Sequence, residues 1–286
     1  MVKVLLSSLV LWSVVWGENK NRNGGEDCDA PLSSKVTHLR MSQTLKEIAT
    51  KLKDTSRFEP ISSRKQEAQL SREGMWSVLQ AEKTNHWRGI PFRKAAQEMV
   101  MYPQLIWELQ PRTIVEIGTY AGGSAVWLAD TAKTVLQRDV PVLTVDIDHA
   151  NLHPLALNNK NVHAHLCDVT DYASCPDFEK ALEANNMERP WLVSEDAHFG
   201  LAQQLEWWHT KLLPGDYILV EDTSPDQNAW VVHINSKATE PVDKKLSIVR
   251  QFLEKYPDHY AIDTYYQDMF GYNSMKEWNS ILKRVA

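Results

Sequence analysis

The chain has 286 residues, of which 43% are hydrophobic and 24% charged, and its formal net charge is −6. This length fits one large α/β domain with an N-terminal extension or two small domains, and the composition is that of a globular protein with a sizeable core. The negative charge argues against a general nucleic-acid binder, which would present a basic face.

The first residues have the pattern of a secretory signal peptide. Lys3 precedes an apolar run over residues 4–15, and a cleavage point follows Gly17. The run is shorter than the roughly 20 residues that span a bilayer, so a cleaved signal over residues 1–17 is favoured over a membrane anchor. The mature chain is then expected to be luminal or secreted, without stable membrane insertion after cleavage.

The sequence contains three cysteines, Cys28, Cys167 and Cys175. An oxidising compartment permits one disulfide and leaves one thiol over. A local pair between Cys167 and Cys175 and three unpaired structural thiols are both compatible with the sequence.

The N-terminal third is predicted to be a linker followed by helices. Residues 18–41 are polar and are typical of a linker. Residues 42–110 are predicted to form a helical extension, because apolar residues such as Leu45 and Ile48 recur at helical spacing. Pro103 is expected to kink or divide the last helix of this extension.

From residue 111 onward, short strands alternate with helices. Strands are predicted at 113–117, 140–147, 161–166, 190–194, 217–220 and 260–264 and near the C-terminus at 281–285, and helices at 123–136, 176–186, 201–213 and 241–256. This alternation predicts an α/β domain over residues 111–286, with a Rossmann-like, doubly wound and mostly parallel sheet. The polar segment 223–240 follows a strand and is a candidate lid.

The most informative stretch is residues 114–124, with the sequence IVEIGTYAGGS. A hydrophobic strand runs into a glycine-rich turn, where the backbone can approach a ligand, and the following helix offers free N–H groups to a carboxylate. A dinucleotide site would show G-x-G-x-x-G spacing. Here an acid precedes the first glycine, which resembles motif I of class I S-adenosylmethionine (SAM) methyltransferases. That acid can face the cationic methionine end of SAM but would repel a pyrophosphate. The predicted cofactor-binding residues of this turn are Glu116, Gly118, Thr119, Gly122, Gly123 and Ser124.

Acidic residues also lie at the C-terminal ends of the next two predicted strands. Asp146, with Asp148 as the alternative, can accept hydrogen bonds from both ribose hydroxyls, as acids at this position do in dinucleotide folds. Asp168 follows the third strand, where methyltransferases of this class contact the adenine.

Two later strands end in a second group of acids, in the sequences Glu195-Asp196-Ala197-His198 and Glu221-Asp222. Converging carboxylates suit a hard cation such as Mg²⁺. Such an ion would bind the acceptor oxygen and lower the pKa of the hydroxyl. His198 is close enough in sequence to serve as the general base.

These motifs resemble a known family, the cephalosporin hydroxylase-type proteins and the metal-dependent sugar O-methyltransferases of macrolide biosynthesis. The resemblance runs from about residue 85 to the C-terminus. Its matching pieces are HWRGIP at 86–91, the glycine-rich turn, VDID at 145–148, EDAH at 195–198, GDYILVEDT at 215–223 and LKRV at 282–285. The resemblance implies Mg²⁺ held by an acid after the fourth strand and by the pair Glu221 and Asp222. The first of these ligands is Asp196 when counted from the strand, but Glu195 when counted back from the histidine.

The favoured function is therefore a SAM-dependent, metal-assisted O-methyltransferase that acts on a hydroxyl of a small molecule or sugar, with no nucleic-acid partner. A hydroxylase or its accessory subunit is one alternative, although the sequence lacks the 2-His-1-carboxylate spacing of non-haem iron sites. A non-catalytic luminal binding protein on the same scaffold is another. An NAD-linked oxidoreductase is disfavoured by the glycine spacing.

Overall fold

The structure is a computed structural model that describes residues 34–184, 188–225 and 242–286. The predicted signal peptide, much of the predicted linker and most of the candidate lid lie outside these residues. Residues 1–50 and 51–286 form two units. Helix α1 (Ser34–Lys53) begins in the first unit, inside the range predicted as linker.

The second unit contains ten short strands and eight helices among its described residues. The strands are β1 (Phe58–Glu59), β2 (His86–Trp87), β3 (Ile90–Pro91), β4 (Thr113–Ile117), β5 (Val142–Asp146), β6 (Val162–Leu166), β7 (Trp191–Glu195), β8 (Tyr217–Val220), β9 (Tyr260–Asp263) and β10 (Ile281–Arg284). The helices are α2 (Arg72–Leu79), α3 (Ala96–Leu109), α4 (Gly123–Leu136), α5 (Pro154–Leu157), α6 (Pro176–Glu183), α7 (Leu201–Lys211), α8 (Val242–Lys255) and α9 (Thr264–Gln267).

Eight of these strands form one sheet in the order β1-β9-β10-β8-β7-β4-β5-β6. The five strands from β8 to β6 run parallel, whereas β10 is antiparallel to both of its neighbours. This confirms the predicted Rossmann-like, mostly parallel sheet.

Alternate residues of the central strands face two separate cores, as the pleat of a strand requires. Val115, Ile117, Val145 and Val193 pack beneath α6, α7 and α8. Ile114, Val142, Leu192 and Leu219 pack beneath α3 and α4. Both faces of the sheet are thus covered by helices, which explains why the strands read as continuous apolar runs.

The strand register places the ends of the central strands side by side. Ile117 pairs with both Val145 and Glu195, and Glu195 pairs with Val220. The residues that follow these positions in the chain therefore meet along the C-terminal edge of the sheet. In open α/β sheets this edge is where ligands bind.

The range 42–110, predicted as helical, contains strands as well. The strands β2 and β3 form a hairpin, whose turn has positive φ angles at Arg88 (52°) and Gly89 (82°). Strand β1 pairs with β9, so this region also adds an edge strand to the main sheet. Helix α3 continues through Pro103, which does not divide it.

Cys167 and Cys175 form a disulfide, so the reading of three unpaired thiols is wrong. The bridge closes the loop between β6 and α6, and both cysteines are buried in the core beneath α6 and α7. None of the helices in the described ranges combines the length and apolarity that a bilayer crossing requires.

Candidate active site

The glycine-rich turn between β4 and α4 depends on the absence of side chains. Gly118 has a φ of +101°, and a Cβ there would lie 2.9 Å from the backbone of Asp196. A Cβ on Gly123 would lie 2.1 Å from the carbonyl oxygen of Pro91 in the β2–β3 hairpin. Two glycines therefore hold the turn against β7 and against the hairpin, with the free N–H groups of α4 at its end.

A cavity of about 620 Å³ opens along this edge of the sheet. It is lined by Glu82, Arg93, Gly118, Tyr120, Val145, Asp146, Ile147, Asp168, Val169, Thr170, Asp196, Ala197, His198, Phe199, Asp222 and Lys276. This space joins the glycine-rich turn to both groups of predicted acids. One continuous cavity can therefore hold a nucleotide-like donor and an acceptor next to each other.

The acids at one end of the cavity are fixed by backbone groups. Asp146 accepts hydrogen bonds from the N–H of Tyr120 at 2.8 Å and from its own neighbour Ile147 at 2.8 Å. Asp168 accepts bonds from both the N–H and the hydroxyl of Thr170, which lower its pKa. Both carboxyl groups keep lone pairs that the protein does not use and that a ligand can reach.

Three of the predicted cofactor residues, Gly118, Asp146 and Asp168, line the cavity, and the other six do not: Glu116, Thr119, Gly122, Gly123, Ser124 and Asp148. Asp148 accepts from the N–H of Ala150 at 2.9 Å and caps a turn. Glu116 is fully buried, and its carboxyl accepts from the Thr144 hydroxyl at 2.6 Å, while Thr144 and Thr119 bond to each other at 2.6 Å. Burial raises the pKa of Glu116 to about 7. Glu116 is therefore buried next to the glycine-rich turn, where its carboxyl group holds the Thr144 side chain in place through a hydrogen bond.

At the other end of the cavity, Asp196, His198 and Asp222 converge, with one potential ligand atom from each lying within 4.8 Å of the others. Nε2 of His198 lies 3.8 Å from Oδ2 of Asp222. Asp222 has a positive φ of 59°, an uncommon conformation that turns its side chain into the cavity. Asp196 follows the last residue of β7, whereas Glu195 is buried within the strand and pairs with Lys245 at 3.1 Å.

The ionisation of these groups is set by burial and by neighbouring charges. Burial raises the pKa of Asp196 to about 6, with a contribution from the negative charge of Glu221. Burial opposes the ionisation of Asp222 as well, but the positive charge of Lys276 holds its pKa well below the ordinary value. Burial, reinforced by Lys245, lowers the pKa of His198 to about 4. The imidazole is therefore neutral at physiological pH.

Glu221 belongs to a buried network behind this group. Its carboxylate is in close contact with the Lys94 ammonium group, lies 3.1 Å from Lys276, and accepts hydrogen bonds from Tyr102 at 2.9 Å and Ser194 at 2.6 Å. Lys94 and Lys276 hold the pKa of Glu221 well below its ordinary value despite its burial. The Glu221 carboxylate thus points toward the two lysines rather than into the cavity.

Sequence reasoning missed the buried lysines of this site. Lys94 contacts Asp196 at 3.2 Å, and Lys276 contacts Asp222 at 3.3 Å. Lys94 precedes α3 and Lys276 follows α9, so neither lies near the acids in sequence. The one sequence signal for these lysines is their position directly beside an apolar or aromatic stretch. This pattern is common in proteins and does not by itself indicate a functional site.

The sheet order, the glycine-rich turn and the acidic strand ends define a class I SAM-dependent methyltransferase. The rhamnosyl O-methyltransferase/CmcI family model matches residues 80–285. The chain therefore belongs to the rhamnosyl O-methyltransferase/CmcI family and is an O-methyltransferase.

Individual proteins that are similar to this chain in sequence or structure support the same family assignment. The rhamnosyl O-methyltransferase of Mycobacterium tuberculosis is 26% identical over 191 residues, which cover 65% of this chain and 73% of the relative. The Mycobacterium leprae protein of the same name is 23% identical over 194 residues, covering 66% and 79%. A solved structure of CmcI with Mg-SAM has a TM-score of 0.54 and 28% identity, covering 71% of this chain and 77% of that chain. A structure of CmcI with SAH has a TM-score of 0.52 and 25% identity, covering 71% and 83%.

Proposed function

We propose that the protein transfers the methyl group of SAM to a hydroxyl of a sugar or a similar small molecule, assisted by a divalent cation such as Mg²⁺. The observation that carries this proposal is the single cavity that joins the turn at Gly118 to Asp196, His198 and Asp222. The relatives named rhamnosyl O-methyltransferase and the CmcI structure with Mg-SAM support it.

The donor would lie across the glycine-rich turn. The N–H groups at the start of α4 suit its carboxylate, and Asp146 and Asp168 retain acceptor capacity for ribose and adenine groups. Gly118, Thr119, Gly122, Gly123 and Ser124 shape the turn, and Glu116 supports it from behind. Because a sulfonium is already reactive, most of the rate would come from aligning donor and acceptor in this cavity.

The residues present fit a divalent cation. The two carboxylates suit Mg²⁺, which would keep several waters, and the added imidazole is a donor that divalent transition-metal ions accept. We propose Asp196, His198 and Asp222 as the ligands, in place of the set with Glu221 expected from the sequence, since Glu221 does not line the cavity. When bound, a cation there supplies Lewis-acid chemistry that lowers the pKa of the acceptor hydroxyl.

The sequence predicted His198 as the general base, and this role is the alternative to metal ligation. Burial and the charge of Lys245 oppose the imidazolium that proton acceptance would form, which favours the ligand role. His198→Gln distinguishes the two. If His198 is a ligand, raised Mg²⁺ restores part of the lost turnover. If it is the base, turnover stays low at every Mg²⁺ concentration, and the pH dependence of kcat changes.

Calorimetry with SAM and with NAD, each with and without Mg²⁺, tests the cofactor assignment. The proposal requires SAM binding and transfer of a labelled methyl group to a pool of glycosides. Tight SAM binding without transfer to any hydroxyl compound would support a binding protein instead. The relatives and structures compared above are methyltransferases, and none of them supports the binding protein or the hydroxylase-associated subunit.

We also propose that the chain enters the secretory pathway through residues 1–17. The disulfide between Cys167 and Cys175 supports this, since such bridges persist mainly in oxidising compartments. N-terminal sequencing of the tagged protein from cell fractions tests it. An N-terminus near Glu18 in the luminal or secreted fraction is expected, and an intact N-terminus in the cytosol would contradict it.

A further inference from the structure

We infer that Glu82 binds a second hydroxyl of the acceptor, adjacent to the one that is methylated, and so selects acceptors with neighbouring hydroxyl groups. The inference rests on the proposed function, because it concerns the same cavity. It assigns a specificity-determining role to a residue of the N-terminal extension, outside every motif that identified the donor and cation sites.

Glu82 reaches the cavity from a short 3₁₀ helix, Gln80–Lys83, that follows α2. It lines the same cavity as His198, Asp222 and Lys276. The residue is only 4% exposed, so its carboxyl group is largely enclosed by protein beside the cavity. A buried carboxyl at a cavity wall requires a partner, from either the protein or a ligand.

The protein supplies little to this carboxyl group. Its charged neighbour is Lys276, at 3.8 Å from Oε1 of Glu82. Lys276 has three closer carboxylates, in Glu98 and Glu221 at 3.1 Å and in Asp222 at 3.3 Å. Oε1 of Glu82 accepts no hydrogen bond from any described residue. Glu82 is thus surplus to the pairing of Lys276 and keeps spare acceptor capacity at a residue that lines the cavity.

The position of Glu82 suits an acceptor with two neighbouring hydroxyl groups, that is, a diol. Asp222 and Glu82 both lie near the ammonium group of Lys276. One small molecule can therefore contact both carboxyl groups. A hydroxyl held at the Asp222 side places its neighbour near Glu82, where the carboxyl group accepts a hydrogen bond from that second hydroxyl. Arg93, which also lines the cavity and donates to the carbonyl oxygen of Glu82 at 3.3 Å, is available to the oxygen of that second hydroxyl.

An acceptor with a single hydroxyl would leave Glu82 buried and unpaired. Sites built to bind a hydroxyl reject analogues that lack it far more strongly than apolar pockets reject a missing methylene, because the buried polar group loses its partner. The carboxyl of Glu82 therefore discriminates a sugar diol from a simple alcohol or a monohydric phenol.

The test measures methyl transfer from labelled SAM, with Mg²⁺, to two panels: methyl glycosides beginning with methyl α-L-rhamnopyranoside and its monodeoxy analogues, and monohydric phenols. Wild type is compared with Glu82→Gln, Glu82→Asp and the control Glu73→Gln, which changes an exposed acid on α2. For Glu82→Gln we expect KM for the glycoside to rise roughly tenfold with kcat changed far less, as for a buried polar group whose hydrogen bond is disturbed. Glu82→Asp should recover part of this loss, and Glu73→Gln should match wild type.

The deoxy analogues give the sharper result. Wild type should discriminate against the analogue that lacks the hydroxyl next to the methylated position, and Glu82→Gln should lose that discrimination. Equal KM values for wild type and Glu82→Gln, or a preference of wild type for phenols, would overturn the inference while leaving the methyltransferase assignment intact. SAM binding without transfer to either panel would instead remove the proposed function, and the role of Glu82 with it.

Discussion

The ammonium group of Lys276 lies 3.3 Å from Oδ1 of Asp222. This contact ties the acceptor end of the cavity to the C-terminal segment that follows α9. It also explains why Asp222, although buried, is ionised, since the lysine charge outweighs the cost of burial. The same lysine leaves the second oxygen of Asp222 directed toward His198.

Asp146 is expected to control the affinity for SAM. In Asp146→Ala the bond to the N–H of Tyr120 and the acceptor for the ribose are both lost. Loss of a charged hydrogen bond of about 1.5–3 kcal/mol predicts a rise in Kd of roughly 10- to 100-fold by calorimetry. Asp148→Ala is the matched control, because this acid caps a turn outside the cavity. Equal affinities for the two variants would remove Asp146 from the donor site.

Alanine substitutions at two of the glycines with positive φ, Gly118 and Gly89, separate the effect of backbone strain from that of steric clash. Gly118→Ala places a Cβ 2.9 Å from the backbone of Asp196, whereas Gly89→Ala meets no atom within 4 Å. The strain alone is about 1–2 kcal/mol for each. Thermal unfolding should therefore show a modest loss for Gly89→Ala and a clearly larger loss, with loss of SAM binding, for Gly118→Ala. Similar stabilities would contradict the packing of the turn against β7.

The disulfide is expected to support the donor site. Asp168, Val169 and Thr170 line the cavity and lie within the loop that Cys167 and Cys175 close. Closing a loop of this size stabilises a fold by roughly 2–3 kcal/mol in the chain-entropy model. Cys175→Ser should lower the midpoint of thermal unfolding and weaken SAM binding. Cys28→Ser is the control, and an equal effect of both substitutions would argue against a local role for the bridge.

The stability of the fold should fall as pH rises through neutrality, partly through Glu116. Its folded pKa of about 7 is above the ordinary value near 4.5, so the folded state retains a proton that the unfolded state has lost. Its contribution is therefore present at about pH 5 and is lost as pH approaches and passes 7. Denaturant unfolding from pH 5 to 8 should show a shallower pH dependence for Glu116→Gln than for wild type. An identical slope would mean that Glu116 is already ionised in the folded protein.

Much of the sheet was predictable because its signals are local. The strand at Thr113–Ile117 and the helix at Gly123–Leu136 have the predicted bounds, since each combines a clear apolar run with glycine punctuation. The hairpin at residues 86–91 was missed because two-residue strands carry too little periodicity. The helix through Pro103 shows that tertiary packing overrides a local breaker, since Tyr102 and Leu105 are fully buried.

The site was predictable in its location but not in its detail. Strand ends meet at one edge by topology alone, and Asp146, Asp196 and Asp222 accordingly line one cavity, while their roles stay predictions. The separation of Glu221 from Asp222 follows from a positive φ and from lysines more than 50 residues away, and neither is encoded nearby in the sequence. Long-range partners of this kind decide which of two adjacent acids faces a ligand.

Methyl transfer by Asp222→Asn, with and without a chelator, tests the joint donor and cation site most directly. Asparagine tolerates the positive φ at this position and preserves the shape of the side chain, so only the charge is removed. The structure predicts that wild type loses turnover in chelator and regains it with Mg²⁺. The variant should lose turnover about 100-fold or more while its Kd for SAM changes little. Turnover that persists in the chelator and in Asp222→Asn would contradict a cation at this edge of the sheet.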